Sequence, residues 1–236
     1  MEKILSELVD RLTKAHKTSL TAVVLYGSGA TEEGKDKLSD FNVLCVLKQI
    51  GPDELAASEP AFRWWRDMKN PAPLLLSEVE VRDATDCFPI EFHDIKERHR
   101  ILYGTDVVGG IEVDDSFYRA QVEHEMRAKM LRLRQKAGGV LSDRVLLLRL
   151  MAESISTFCV LFRHALRLAG ERPLFGKHEV VRAASEKFGI DTAPFELLLE
   201  IREGKSKPRD VQPEKLFRQY LTQIEIMVDA VDRMEK

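Results

Sequence analysis

The chain has 236 residues, enough to bury the cores of one large or two modest domains. Its charge is nearly balanced, with 36 Lys and Arg against 39 Asp and Glu, which argues against an extended nucleic acid as a partner. The three cysteines, Cys45, Cys87 and Cys159, lie in apolar segments without CxxC spacing, so neither a disulfide framework nor a zinc site is expected.

The first segments of the chain predict one helix and two buried strands. Residues 2–16 place their apolar side chains on one helical stripe, which is typical of a helix lying on a sheet. Residues 21–26 and 41–47 are short apolar runs bounded by turn residues, as in covered strands. We therefore expect a helix followed by two strands of one sheet.

Polar residues stand where these two predicted strands end and begin. Gly27 and Ser28 follow the first strand, and Asp40 and Asn42 open the second. Side chains alternate along a strand, so Asp40 and Asn42 point to the same face. Oxygen ligands spaced in this way can hold Mg²⁺, and backbone N–H groups of a Gly-Ser turn can hold phosphate.

The next segments predict a helix that begins near residue 52, a short strand at 74–76 and a brief helix. Pro60 is expected to kink or divide the first of these helices. Ser77 and Glu80 have the spacing of a capping box, which indicates the start of the brief helix.

A further strand is predicted at residues 88–93, where apolar side chains alternate with Glu91 and His93. Glu91 would then share the open face of the sheet with Asp40, whereas His93 is interpreted as a hydrogen-bonded structural histidine. We expect a mixed sheet with helices on one face and the other face open to a cleft.

From residue 114 onward nearly every segment is helical. Seams of apolar residues and helix-end signals predict helices at 116–137, 143–170, 177–188, 194–203 and 213–235. The domains expected are 1–113 and 114–236. The helix at 143–170 is apolar on most sides, so we expect it at the centre of a bundle, with Arg149 and Glu153 on a solvated face. No signal peptide or uninterrupted membrane span is evident, which favours a soluble cytoplasmic protein.

The order Gly27-Ser28, then Asp40-Phe41-Asn42, then Glu91 resembles the nucleotidyltransferase superfamily, and the likeness is greatest to kanamycin-type enzymes with an added helical domain. The likeness covers roughly residues 20 to 110. It implies an α/β nucleotidyltransferase-like mixed sheet followed by an all-α helical bundle. It also implies transfer of a nucleoside monophosphate from Mg-NTP to an acceptor hydroxyl.

The resemblance assigns a role to each matching position. Asp40 and Glu91 would be catalytic residues and Mg²⁺ ligands, with Asn42 as a weak third ligand. The nucleotide-binding residues would be Gly27, Ser28, Lys37 and Ser39, and Lys35 is an alternative to Lys37 for screening the phosphate charge.

Asn42 is where the chain departs from the family, which has a second acidic ligand at that position. An amide oxygen can bind Mg²⁺ but brings no charge, so the second of two metal ions would be weakened most. A working enzyme is the favoured interpretation. The alternative is a weakened or inactive homologue that acts as a nucleotide-binding, antitoxin-like or regulatory partner, and a purely structural helical protein is a third possibility. The acceptor and the preferred base stay open.

Overall fold

A computed structural model describes residues 2–30 and 41–234, apart from the side chain of Ser28. The chain forms two compact units, Met1–Phe117 and Tyr118–Lys236. The boundary predicted from the sequence lies between residues 113 and 114, in the irregular segment just before this division.

The first unit is built on a four-stranded mixed sheet with the strand order β3-β2-β1-β4. Strand β1 is antiparallel to both β2 and β4, and β2 is parallel to β3. The predicted mixed sheet is confirmed. Its elements in chain order are α1 (Glu2–His16), β1 (Leu20–Tyr26), β2 (Asn42–Leu47), α2 (Pro52–Asp67), β3 (Leu74–Ser77), α3 (Glu78–Asp83), α4 (Pro89–Glu97) and β4 (His99–Gly104).

Helices cover both faces of this sheet, so the prediction of one open face is wrong. Residues 22–25 of β1 and 43–47 of β2 are apolar and buried at consecutive positions, so their side chains point alternately into two cores. Val23 and Leu25 of β1 pack with α1 and α2 on one face. Ala22 and Val24 pack with α3 and α4 on the other face.

The sequence predicts a kink or division of helix α2 at Pro60 and a capping box at the start of helix α3. Helix α2 continues through Pro60 and is not divided there. Helix α3 begins with the predicted capping box: Glu80 N–H donates to the Ser77 hydroxyl at 3.2 Å, and Ser77 N–H donates to Glu80 Oε2 at 2.7 Å. This reciprocal pair satisfies two backbone donors that the first turn leaves without partners.

The strand predicted at residues 88–93 is instead helix α4, and this correction moves Glu91 from a strand to a helix. Pro89 occupies the first helical turn, where its missing N–H costs nothing and its fixed φ favours the helix. Phe92 and Ile95, three residues apart, are buried against the sheet. This helical spacing outweighs the short alternation seen in the sequence. Strand β4, which was not predicted from the sequence, follows directly.

The second unit is a helical bundle, as predicted. Helix α6 (Arg144–Leu168) lies at its centre and contacts the other four helices. Asp143 caps its start, and the Asp143 carboxylate accepts the N–H groups of Val145 and Leu146. By length and composition α6 could cross a membrane, but eleven of its side chains are buried within the unit. The helices are α5 (Tyr118–Gly138), α6 (Arg144–Leu168), α7 (Lys177–Phe188), α8 (Ala193–Arg202) and α9 (Pro213–Asp232).

Candidate active site

One edge of the sheet brings together the end of β1 and the start of β2. Because the two strands are antiparallel, Tyr26, the last residue of β1, pairs with Asn42, the first residue of β2. His99, the first residue of β4, pairs with Tyr26 on its other side. Paired residues of antiparallel strands point to the same face. Tyr26 and Asn42 therefore both point to the face that α3 and α4 cover.

Gly27 begins the turn that follows β1, and it contacts both α4 and β2. Its N–H donates to the carbonyl of Arg98, the residue that caps α4, at 2.9 Å. Its φ of +73° is in the region that favours glycine. A Cβ atom at this position would lie 3.3 Å from Asn42 Nδ2. Gly27 therefore allows close packing of the turn against Asn42, and its N–H is already used within the protein.

Helix α4 contributes two carboxylates to the same edge. Glu91 is exposed and Asp94, one turn later, is half-buried. Burial raises the pKa of Tyr26 to about 12, and the negative charges of Asp94 and Glu91 add to this effect. The phenol therefore stays protonated at neutral pH. Strands β3 and β4 contain no Asp or Glu, and Glu91, for which a strand position was predicted, lies on α4.

His93 of α4 contacts the segment that follows the sheet. It lies on α4 with its ring buried, and its Nε2 is 2.6 Å from Asp115 Oδ1. The interaction ties α4 to the segment that leaves the sheet. This contact is the one expected for a structural histidine.

Several predicted site residues lie outside the described residues, namely Lys35, Lys37, Ser39 and Asp40, and for Ser28 only the backbone is described. Within residues 2–30 and 41–234, no group of three or more His, Cys, Asp and Glu side chains is arranged to hold a metal ion. The assignment of Asp40, Asn42 and Glu91 to one metal site therefore stays a prediction. Gly27 and Asn42 are the predicted residues that the described structure brings together directly.

Two residues at this edge were missed in the sequence, Tyr26 and Asp94. Tyr26 was interpreted as part of an ordinary strand, and a pairing of β1 with β2 would have placed it beside Asn42. Asp94 follows Glu91 by three residues, which puts both carboxylates on neighbouring parts of one helix surface. Pro89 was the available signal, because it marks a first helical turn.

The fold matches a solved structure along nearly its whole length. That structure is spectinomycin adenyltransferase AAD(9) from Enterococcus faecialis with ATP and spectinomycin, and the match covers 97% of this chain and 98% of that chain with a TM-score of 0.63 and 15% identity. The chain has a nucleotidyltransferase-like fold. The resemblance inferred from the Gly-Ser and Asp-x-Asn segments is thus confirmed at the level of the fold. No protein-family model and no curated protein sequence matches the chain.

The chemistry of this edge of the nucleotidyltransferase-like sheet fits a hard cation. Carboxylate and amide oxygens are the donors that Mg²⁺ prefers, and Asn42, Glu91 and Asp94 provide such groups around Tyr26. The last turn of α4 also lies here, and the carbonyl end of a helix favours positive charge.

Proposed function

We propose that the chain is a cytoplasmic nucleotidyltransferase that transfers a nucleoside monophosphate from Mg-NTP to a hydroxyl of an acceptor. The observation that supports this most is the packing of the Gly27 turn against Asn42, beside the two carboxylates of α4, on a fold shared with an adenyltransferase. ATP and spectinomycin are the first substrates to test, because the matching structure was solved with both.

In this proposal the protein positions the substrates. Since Gly27 N–H is bonded to Arg98, the phosphates would be held by the turn residues that follow, starting with Ser28. The first N–H groups of a helical turn have no partner inside the turn. Lys37, or Lys35, would screen the phosphate charge. Ser39 would help to hold the nucleotide.

Mg²⁺ would be held by Asp40, Asn42 and Glu91, and Asp94 would add negative charge beside them. A metal ion held there would neutralise the triphosphate and lower the pKa of the attacking hydroxyl. The protein groups contribute mainly by fixing the reactants in line, since phosphoryl transfer depends on positioning and electrostatic stabilisation.

A thermal-shift panel of the four NTPs with and without Mg²⁺ tests this proposal. A ligand that binds only the folded state stabilises it by about 2.7 kcal/mol at a concentration 100 times its Kd. We expect a Mg²⁺-dependent rise in Tm with at least one NTP and its loss in Asp40→Ala. The matched control is Asp83→Ala, which removes an exposed carboxylate that pairs with Arg82 on α3. An unchanged NTP response in Asp40→Ala would show that the site assignment is wrong.

Asn42 provides the test between an active enzyme and a binding protein. Asn42→Asp supplies the acidic ligand found in the family, so in a weakened enzyme it should increase Mg²⁺ affinity and label transfer from radiolabelled ATP. An unchanged transfer signal, with NTP binding retained, would favour the regulatory or antitoxin-like alternative.

A further inference from the structure

The second unit contains a cavity with a volume of about 550 Å³. It lies between the first half of α6, Ile201 of α8, the short turn Pro208–Asp210 and Pro213 at the start of α9. Pockets that bind small molecules usually have volumes of roughly 300 to 1,000 Å³. All of its lining residues belong to the helical bundle, so it is distinct from the edge of the sheet described above.

The inner wall of this cavity is apolar. Leu148 and Pro213 are buried in the unit, and Ala152 and Ile201 are half-buried beside them. The free energy falls when an aliphatic or aromatic group leaves water and packs against such a wall. The body of a suitable ligand is therefore hydrocarbon.

The charged residues that line the cavity are all basic. They are Arg144, Arg149 and Arg209, and among residues 2–30 and 41–234 no Asp or Glu is in the lining. Arg149 pairs with Glu153 at 2.7 Å, and Arg209 Nε is 3.8 Å from Asp210 Oδ1. The Arg144 guanidinium instead donates to a neutral group, the carbonyl of Val211, at 2.9 Å. A guanidinium has five N–H donors, so these bonds use a fraction of its capacity.

The position of Arg144 strengthens the preference for a negative charge. It is the first residue of α6, and the N-terminal end of a helix already has a partial positive charge. The first turn of α6 contains no acidic residue, although Asp143 caps it. A cationic group in the cavity would thus meet positive charge, whereas a carboxylate or another organic anion would be attracted.

We propose that this cavity binds an amphipathic organic anion, namely a carboxylate on an aliphatic chain. The chain would lie along Leu148, Ala152 and Ile201, and the carboxylate would accept hydrogen bonds from the arginines at the opening. This site is independent of the nucleotidyltransferase proposal, because it uses different residues and a different unit of the fold.

Calorimetric titration of the full-length chain with hexanoate, octanoate and decanoate tests the proposal. Each added methylene contributes at most about 0.8 kcal/mol, so affinity should rise by up to about fourfold per CH₂ until the cavity is full. Decanol and decylammonium, which have the same chain length, should bind at least about tenfold more weakly than decanoate, since one lacks the charge and the other reverses it.

Three variants separate the charge from the cavity. Arg149→Gln should weaken decanoate binding by about threefold or more, and Glu153→Gln should strengthen it, because Arg149 then loses the Glu153 carboxylate that pairs with it. Ala152→Phe fills the cavity and should abolish binding. The matched controls are Arg218→Gln on α9 and Ala128→Phe on α5, neither of which lines the cavity.

The proposal is overturned if decanol or decylammonium binds as well as decanoate, or if the Arg149 and Glu153 variants change affinity in the same direction. It is also overturned if Ala152→Phe removes a concentration-dependent self-association, because the cavity would then be a contact between two copies of the chain. If Ala152→Phe does not fold, the opposite changes in decanoate affinity expected for Arg149→Gln and Glu153→Gln still test the proposal.

Discussion

Replacing Gly27 with alanine separates the backbone requirement of the turn from its packing against Asn42. An L-residue in the left-handed region costs roughly 1 to 2 kcal/mol. The new Cβ would also lie 3.3 Å from Asn42 Nδ2, closer than the ~3.5 to 4.0 Å of an ordinary contact, so the amide must shift. Gly27→Ala should therefore destabilise the first unit and displace a predicted metal ligand.

The matched control is Gly189→Ala, because Gly189 has the same φ of +73° but no atom within 4 Å of its Cβ position. Both variants should lose stability for the same backbone reason. Only Gly27→Ala should lower the Mg-NTP response of the protein. Both tryptophans, Trp64 and Trp65, lie on α2, so their fluorescence during urea unfolding reports on the first unit. Circular dichroism provides the corresponding measurement for Gly189→Ala.

The backbone cost of roughly 1 to 2 kcal/mol in the free energy of unfolding corresponds to a decrease in Tm of roughly 2 to 8 °C. A change of 1 kcal/mol shifts the Tm of a protein of this size by about 2 to 4 °C. In an Asn42→Ala background the packing part of the effect should vanish and the backbone part should persist. A Gly27→Ala protein that is as stable as wild type would refute the reasoning, because alanine is neutral or stabilising only where the backbone conformation suits it.

Three further predictions concern the rest of the chain. Ser77→Ala removes the cap of α3 and should lower the free energy of unfolding by about 1 kcal/mol, measured by tryptophan fluorescence in urea. Burial lowers the pKa of His178, but its hydrogen bonds with Glu196 and Glu203 raise it more, so the net shift is upward. The stabilisation that protonated His178 provides is then fully present below pH 6.5 and is lost as the pH rises through the pKa of His178 in the folded protein. His178→Gln should therefore cost more stability at pH 6 than at pH 9. Native protein should react with a thiol reagent at Cys87 alone, whereas unfolded protein should react at all three cysteines, since the other two are buried.

The helices of the second unit were predictable because long apolar seams define them over several turns. The seam from Val122 to Ala137 predicted α5, and Asp143 and Gly170 bounded α6 within two residues of the structure. Strands β1 and β2 were equally clear, because each is a buried apolar run between turn residues. In these segments local propensity and burial favour the same structure.

The region between β3 and the second unit was harder to predict, because its elements are short and depend on tertiary contacts. Residues 88–93 alternate like a strand, yet Phe92 and Ile95 give α4 its buried side. Strand β4 has half-buried residues and no clean pattern, and it is ordered by pairing with β1. Strand propensity reflects such packing more than an intrinsic backbone preference.

The same dependence explains which parts of the candidate site were predictable. The closeness of Gly27 and Asn42 follows from joining two adjacent antiparallel strands, and both residues were singled out in the sequence. The contributions of Tyr26 and Asp94 depend on how α4 packs against the sheet. Spacing along the chain does not reveal that packing when the helix itself is assigned as a strand.

The placement of α4 changes the meaning of Asn42. Judged by the motif alone, an asparagine there removes one negative charge from the predicted metal site and favours the alternative of an inactive homologue. In the structure α4 brings Asp94 as well as Glu91 to the edge of the sheet where Asn42 lies, and both carboxylates act on Tyr26, the neighbour of Asn42 across the strands. The affinity for a metal ion depends on the total negative charge around the ion and not on where the charged residues stand in the sequence. Asn42 is therefore weak evidence against catalysis. We expect Asp94→Asn to reduce Mg²⁺ affinity by at least as much as Asn42→Asp increases it. Competition with Mn²⁺ measures both affinities.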